Sequence, residues 1–290
     1  MKTTNQPVID SIRNGLREFD CHDVDVHAFE QLGSTSLWLN EQRAHFNTLL
    51  DAGRPQLCIT DWQQSGVGRR GKRWQTQPGN ITFSVLSRVH KPAAQLLGLS
   101  LVTGIAVAVE LERILDQTVM LKWPNDIIVQ NRKLGGLLTE LVSCSDATTS
   151  NAEGGDSSGL VGKQLATDII IGIGINVNHD DEVSGLGIGA TSLNQSGIQL
   201  QHTDRDELVG SLCGSVLASH ARFMQHQWAP FEQAWAIRDW LKGKEVAIHQ
   251  HQTVEHGVAC GVNEEGALLV RNASRVTPLY GGNISIRPTV

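Results

Sequence analysis

An α+β fold is predicted for this chain, with a mixed or antiparallel sheet in the main part and a small antiparallel barrel at the end. Two patterns carry that expectation. Up to about residue 241, helical and strand-like stretches do not alternate as βαβ units, which argues against a doubly wound parallel sheet. From about residue 242 the chain reads as short strands split by turns such as Asn263-Glu264-Glu265-Gly266, the pattern of a small barrel.

Taken in order, Val8, Ile9, Ile12, Leu16 and Phe19 recur at helical spacing and predict a short amphipathic helix within an N-terminal extension, residues 1–26. Ser34-Thr35-Ser36 is an N-cap candidate for a helix over Leu37–Leu50 that stops near Gly53. Strands are expected at Leu57–Trp62 and Ile81–Leu86, joined by a basic loop. Ala93–Leu115 is apolar on most faces and predicts one long buried helix. Val119–Lys122, Ile127–Gln130 and Lys133–Val142 are strand candidates. Residues 144–166 are rich in Ser, Gly, Thr, Asp and Asn and read as a flexible insertion. Asp168–Asn176 is a core strand ending in glycines, and helices return at about Asp204–His226 and Pro230–Trp240. Five strands close the chain: Glu245–His249, Thr253–Val262, Ala267–Arg271, Arg275–Leu279 and Ile284–Arg287.

Composition narrows the function. The 290 residues are 40 % hydrophobic and 19 % charged, as in an ordinary soluble globular protein. A net charge of −6 argues against wholesale nucleic-acid binding. The five cysteines are scattered without a C-x-x-C and read as reduced thiols of a cytoplasmic protein. Met1–Pro7 lacks the apolar core of a signal peptide, and no run reaches the roughly 20 apolar residues of a membrane span. His249 and His251 alternate on a predicted strand without a Cys or carboxylate set, so no metal site is assigned.

Against that acidic background, residues 62–76 stand out. Arg69, Arg70, Lys72 and Arg73 lie among Gly66, Gly68 and Gly71, with Trp74 just behind. Exposed amides in a glycine-rich turn, joined by Arg and Lys, make a concave anion site. The literal G-x-G-x-x-G is refused as a dinucleotide fingerprint, because a strand pattern rather than a helix follows it. A second cluster follows in Lys122-Trp123-Pro124-Asn125-Asp126 and Lys133-Leu134-Gly135-Gly136. Its two lysines, aspartate and glycine pair lie on adjacent strands, and glycines there suit close ligand approach better than packing.

These motifs, with Gly172-Ile173-Gly174-Ile175-Asn176 and a closing Gly281-Gly282-x-Ile284-Ser285-x-Arg287, resemble those of the biotin–protein ligases, also called biotin–[acetyl-CoA-carboxylase] ligases. The resemblance spans roughly residues 27–290. It implies a catalytic domain (27–241) like those of class II aminoacyl-tRNA synthetases and a C-terminal SH3-like domain (242–290). It also implies ATP and Mg²⁺ as requirements, biotin as substrate, and the biotin carrier domain of acetyl-CoA carboxylase as partner. In that family biotin's carboxylate attacks the α-phosphate of ATP, and a carrier lysine then attacks the biotinyl-5′-AMP. Cations must offset the repulsion between carboxylate and polyphosphate.

By the same resemblance Ser34, Thr35 and Gln63 hydrogen-bond the ureido ring, with Gly66 and Arg69 assisting. Lys133 meets the carboxylate end, while Gly136, Leu138 and Asn176 line the pocket. Arg69, Arg70 and Lys72 close over the acyl phosphate, and Lys122 and Arg287 also face phosphate. Asp126 either orients the incoming lysine or holds a metal-bound water. Three positions depart from the family's pattern: Val67 where many relatives carry a basic or polar residue, Lys72 for a common Arg, and Ala190 where some stack a tryptophan on adenine. A lipoate or octanoate ligase of the same fold is the nearest rival. A biotin-responsive repressor is disfavoured, since about 25 residues before the matched region are too few for a helix-turn-helix domain. No DNA and no membrane partner is expected, and a homodimer is left open.

Overall fold

The computed structural model describes residues 6–144, 166–178, 189–250, 253–273, 275–281 and 284–288. The insertion read at 144–166 lies almost wholly outside them. The chain opens with α1 (Gln6–Arg17), whose apolar stripe buries Ile12 and Leu16, and runs into β1 (Asp25–Leu32). The helix expected over Leu37–Leu50 is two: α2 (Thr35–Gln42) and α3 (Asn47–Asp51), separated by a turn at residues 43–46. The break seats Phe46 beside Trp38 and His27, with ring centroids 6.1 and 5.2 Å apart, so tertiary packing overrides the helical propensity.

Next comes β2 (Gln56–Gln63), and then the basic segment. It is a small ribbon rather than a plain loop: β3 (Gly66–Val67) pairs antiparallel with β4 (Arg73–Trp74). After β5 (Ile81–Val89), a 3₁₀ turn over Ala93–Leu96 and Gly98 at φ +86° delay the start of α4 (Leu99–Leu115). The long helix predicted from Ala93 is thus shorter by a turn and a half, because a left-handed residue cannot continue a right-handed helix. By length and composition Ala93–Leu115 could cross a membrane, yet 67 % of its apolar window is buried inside the fold.

Four strands follow, β6 (Met120–Lys122), β7 (Asp126–Val129), β8 (Arg132–Cys144) and β9 (Ala166–Ile175), and then α5 (His202–His226) and α6 (Glu232–Ala236). The last helix was expected to reach Trp240. Instead residues 238–240 run beside β6: Leu121 N donates to Arg238 O at 2.7 Å and Trp240 N to Leu121 O at 3.0 Å. Those bonds satisfy an otherwise open sheet edge.

The main sheet has seven strands in the order β1-β2-β5-β9-β8-β7-β6; β1 and β2 are parallel and every other pair is antiparallel. Side chains alternate across it. Leu57, Ile59, Val85, Ile169, Ile171 and Ile173 face one core with α4 and α5, while Cys58, Leu86 and Ile170 face α2 in another. Beyond α6, β10 (Glu245–Gln250), β11 (Thr253–Val262), β12 (Leu268–Asn272), β13 (Arg275–Leu279) and β14 (Ile284–Pro288) form an antiparallel sheet in the order β13-β12-β11-β10-β14. Strand number and pairing agree with the SH3-like expectation; among the described residues no ladder joins β13 to β14. Trp123 Nε1 donates to Gly266 O at 3.0 Å and ties the two sheets together.

One buried group makes stability depend on acid. His220 of α5 is 5 % exposed, its Nε2 lies 2.9 Å from Thr103 Oγ1, and its Nδ1 has no hydrogen-bond partner among the described residues. Burial pushes its pKa down from 6.5 to about 3. The unfolded chain therefore takes up a proton below pH 6.5 that the folded one refuses. Stability is full above that pH and falls by up to about 1.4 kcal/mol per pH unit towards pH 3. Urea midpoints at pH 7, 6 and 5 will fall for the wild type more steeply than for His220→Gln, which removes this titration.

Candidate active site

The α2-facing side of the sheet changes character along its strands. Leu86 and Ile170 fill it at one end. Two residues along, their places are taken by Ser84 and Gly172, and two further by Thr82 and Gly174. Register extends that last row: Gly174 pairs with Gly136, Gly136 with Asp126, and Asp126 with Lys122. Five strands thus contribute Thr82, Gly174, Gly136, Asp126 and Lys122 to a single line. Small residues hollow the face, and a cavity of about 410 Å³ stands over it.

The ribbon supplies one wall. A Cβ on Gly174 would lie 2.6 Å from the Trp74 ring, so the indole rests directly on this glycine. A Cβ on Gly135 would lie 2.4 Å from Gly174 O. Gly135 therefore serves strand packing, contrary to the expectation for the pair, while Gly136 lines the cavity. At the tip of the ribbon Arg70 and Gly71 take φ values of 60° and 67°, which turn the chain back on itself. Arg69 donates to Gly281 O at 3.2 Å and to Asn125 Oδ1 at 3.5 Å, linking the ribbon to both sheets.

At the other end the cavity is polar but uncharged. Gln63 Oε1 accepts from Thr35 N at 2.9 Å, and Thr35 Oγ1 lies 2.7 Å from Ser84 Oγ. Ser34 sits just behind as the α2 N-cap, accepting from Leu37 N at 3.4 Å. Capping is what its geometry supports.

The charged end is built on Asp126. Lys133 Nζ lies 2.5 Å from Asp126 Oδ1, and Lys122 Nζ lies 3.6 Å from Oδ2. Burial, opposed by Asp126 and reinforced by Lys133, lowers the Lys122 pKa below the usual lysine value. Burial and then the neighbouring Arg70 lower that of Arg69. Such a concentration of desolvated cations suits a site for a polyanion.

Of the residues named as candidates, Thr35, Gln63, Arg69, Arg70, Lys72, Lys122, Asp126, Lys133, Gly136, Leu138 and Asn176 line the cavity. Ser34 and Gly66 lie outside the lining; a Cβ on Gly66 would sit 2.4 Å from Gln63 Nε2. Arg287 is exposed on β14, where its neighbour Ile286 reaches the cavity instead. The sequence reading gave no ligand contact to Ser36, Thr82 or Ser84 and named Gly172, Gly174 and Trp74 only as motif positions; all six line the cavity. Alternation along two core strands, with small residues at every second place, is the signal that would have found most of them. Ala190 also lines the cavity, beside Lys133, whose N donates to Gly189 O at 2.9 Å.

Residues 37–151 match the model of the biotin/lipoate A/B protein ligase family. The bifunctional ligase/repressor BirA of Escherichia coli (strain K12) is 34 % identical over 232 residues, covering 79 % of this chain and 66 % of that protein. Residues 37–151 of this chain thus carry a biotin/lipoate A/B protein ligase domain. The matched region spans just under two thirds of the length of that BirA protein. The biotin–[acetyl-CoA-carboxylase] ligase of Paracoccus denitrificans is 25 % identical over 72 % of this chain and 81 % of its own length. The solved biotin protein ligase from Aquifex aeolicus in complex with biotin and ATP aligns with a TM-score of 0.69 at 24 % identity, covering 91 % of this chain and 99 % of that one. That likeness is one of fold.

Proposed function

We propose that this protein is an ATP-dependent biotin–protein ligase that makes biotinyl-5′-AMP and passes the biotinyl group to a lysine of a carrier domain of acetyl-CoA carboxylase. One observation carries the reading: a single cavity has a neutral polar end, at Thr35, Gln63 and Ser84, and a cationic end, at Lys122, Lys133 and Arg69. Biotin has that same polarity, with a ureido ring that donates and accepts at one end and a carboxylate at the other. Lipoate and octanoate offer no ureido-like donor and acceptor, so either would leave the remaining hydrogen-bonding capacity of Gln63 and Thr35 facing apolar matter.

In the first half-reaction a biotin carboxylate oxygen bonds to the α-phosphorus of ATP and pyrophosphate leaves. Lys133 holds the carboxylate, and Lys122, Arg69, Arg70 and Lys72 meet the phosphates. Gly136, Leu138 and Asn176 bound the pocket between, with Ser34 and Gly66 supporting it from behind and Arg287 flanking the phosphate side. In the second half a carrier amine attacks the acyl carbon and AMP leaves, with Asp126 orienting the amine. Mg²⁺ is best read as part of the ATP substrate. Among the described residues Asp126 is the single carboxylate in the lining, it is engaged by two lysines, and no group of three His, Cys, Asp or Glu occurs.

The catalytic part is assigned to residues 27–241 and the accessory part to 242–290. The five cysteines are free thiols, which fits action in the cytoplasm. The deciding assay combines the chain with ATP, Mg²⁺, labelled biotin and a carrier domain. Label will appear on one carrier lysine, with release of AMP and pyrophosphate. Transfer of lipoate or octanoate in place of biotin would overturn the assignment.

A further inference from the structure

Lys133 has two claimants. In the structure its ammonium arches over Gly136, where a Cβ would stand 3.5 Å from Nζ, and binds Asp126 Oδ1 at 2.5 Å. The proposed reaction needs that same ammonium for the anionic end of the ligand. Resting on the biotin-ligase reading, we propose that Asp126 is the resting counter-ion of Lys133, that it competes with the ligand's anion for this lysine, and that ligand binding thereby uncovers Asp126 Oδ1 for the amine-transfer step.

The surroundings support an exchange of partners. Among the described residues Asp126 is the only carboxylate lining the cavity, and its side chain is 11 % exposed. A ligand carboxylate placed on Lys133 would bring two carboxylates onto one ammonium in a poorly solvated site, so the hold of each is weakened by the other. Losing Lys133 does not strand Asp126. Lys122, on the neighbouring strand, keeps Oδ2 at 3.6 Å and is itself only 5 % exposed. The other charges bearing on the group are Arg69, from the ribbon, and Arg287, which acts on Lys122 from β14. One carboxylate oxygen thus stays anchored while the other opens.

The order of events then follows from charge. Before the ligand arrives, Asp126 Oδ1 is covered by Lys133. Once Lys133 turns to the acyl phosphate, Oδ1 can accept a proton. In that step the carrier's amine nitrogen bonds to the biotinyl carbonyl carbon. The carbon–oxygen bond to phosphate breaks, AMP leaves with the electron pair, and the surplus amine proton passes to Oδ1.

The test is a double-mutant cycle read by titration calorimetry of the full chain with biotin, with single-turnover transfer from biotinyl-5′-AMP to a carrier domain alongside. Asp126→Asn, with Asp126→Ala as the second variant, will bind biotin about tenfold more tightly than wild type. In the Lys133→Met background the same change will give no gain, and carrier transfer by Asp126→Asn will be at least about tenfold slower. Weaker biotin binding by Asp126→Asn would mean that Asp126 merely props up Lys133, and overturns the proposal. Tighter binding that persists without Lys133 would mean simple relief of negative charge, and overturns it equally. Failure of the wild type to bind biotin would instead sink the functional reading on which this one rests.

Discussion

Lys133→Ala will cut biotin-dependent ATP–pyrophosphate exchange by about 10²–10³-fold while leaving the protein folded. The size follows from where the ammonium sits. Its side chain is 19 % exposed, it binds Asp126 at 2.5 Å, and it lies 5.6 Å from the centre of the Trp74 ring. Removing it takes away the ligand's carboxylate partner and also leaves Asp126 with Lys122 alone, at 3.6 Å. An exposed lysine has no comparable partner to lose, and Lys242→Ala in the same assay will be near wild type. Exchange rates within threefold of each other for the two variants would remove Lys133 from the reaction.

The largest loss of stability will come from Asp168→Ala, far from the cavity. Asp168 is fully buried on β9 and accepts from Arg88 Nε at 2.6 Å and Nη2 at 2.9 Å, with Arg43 at 3.4 Å. The Arg88 side chain is only 7 % exposed, and its other acidic partner, Asp51, is 60 % exposed. Deleting Asp168 leaves the buried guanidinium with only Asp51 at 2.7 Å and Asn47 at 3.0 Å, both towards the exposed side, and costs about 3 kcal/mol. Glu18→Ala breaks a pair with Arg113 whose members are 40 % and 55 % exposed and will cost less than about 1 kcal/mol. Urea midpoints and m-values separate the two; equal losses would mean that burial does not set the worth of these ion pairs here.

Much of this was legible in the chain itself. Strand limits in the last fifty residues agree with prediction to within one or two positions, because short alternating runs bounded by Asn, Gly and Glu turns have few other readings. The helices fared less well. Leu37–Leu50 divides at residues 43–46 and Ala93–Leu115 starts only at Leu99, since aromatic packing in one case and Gly98 at φ +86° in the other outweigh a local pattern. Motif chemistry pointed correctly to Arg69, Lys122, Asp126 and Lys133 as neighbours in one cavity. It mistook Gly135 for a ligand-facing residue, because a glycine that admits a backbone and one that admits a ligand look alike in one dimension.

What the sequence determined by itself is therefore the order of elements, the acidic background and the residue types of a polyanion site, all of them carried by local spacing. What only the tertiary structure decided is which of those residues share a face. Thr82, Gly174, Gly136, Asp126 and Lys122 come from five strands and meet because of register. A slip of one residue would turn each to the opposite side, and nothing within a single strand encodes its neighbour's offset. The packing of Trp74 on Gly174 and the claim of Asp126 on Lys133 follow from that register.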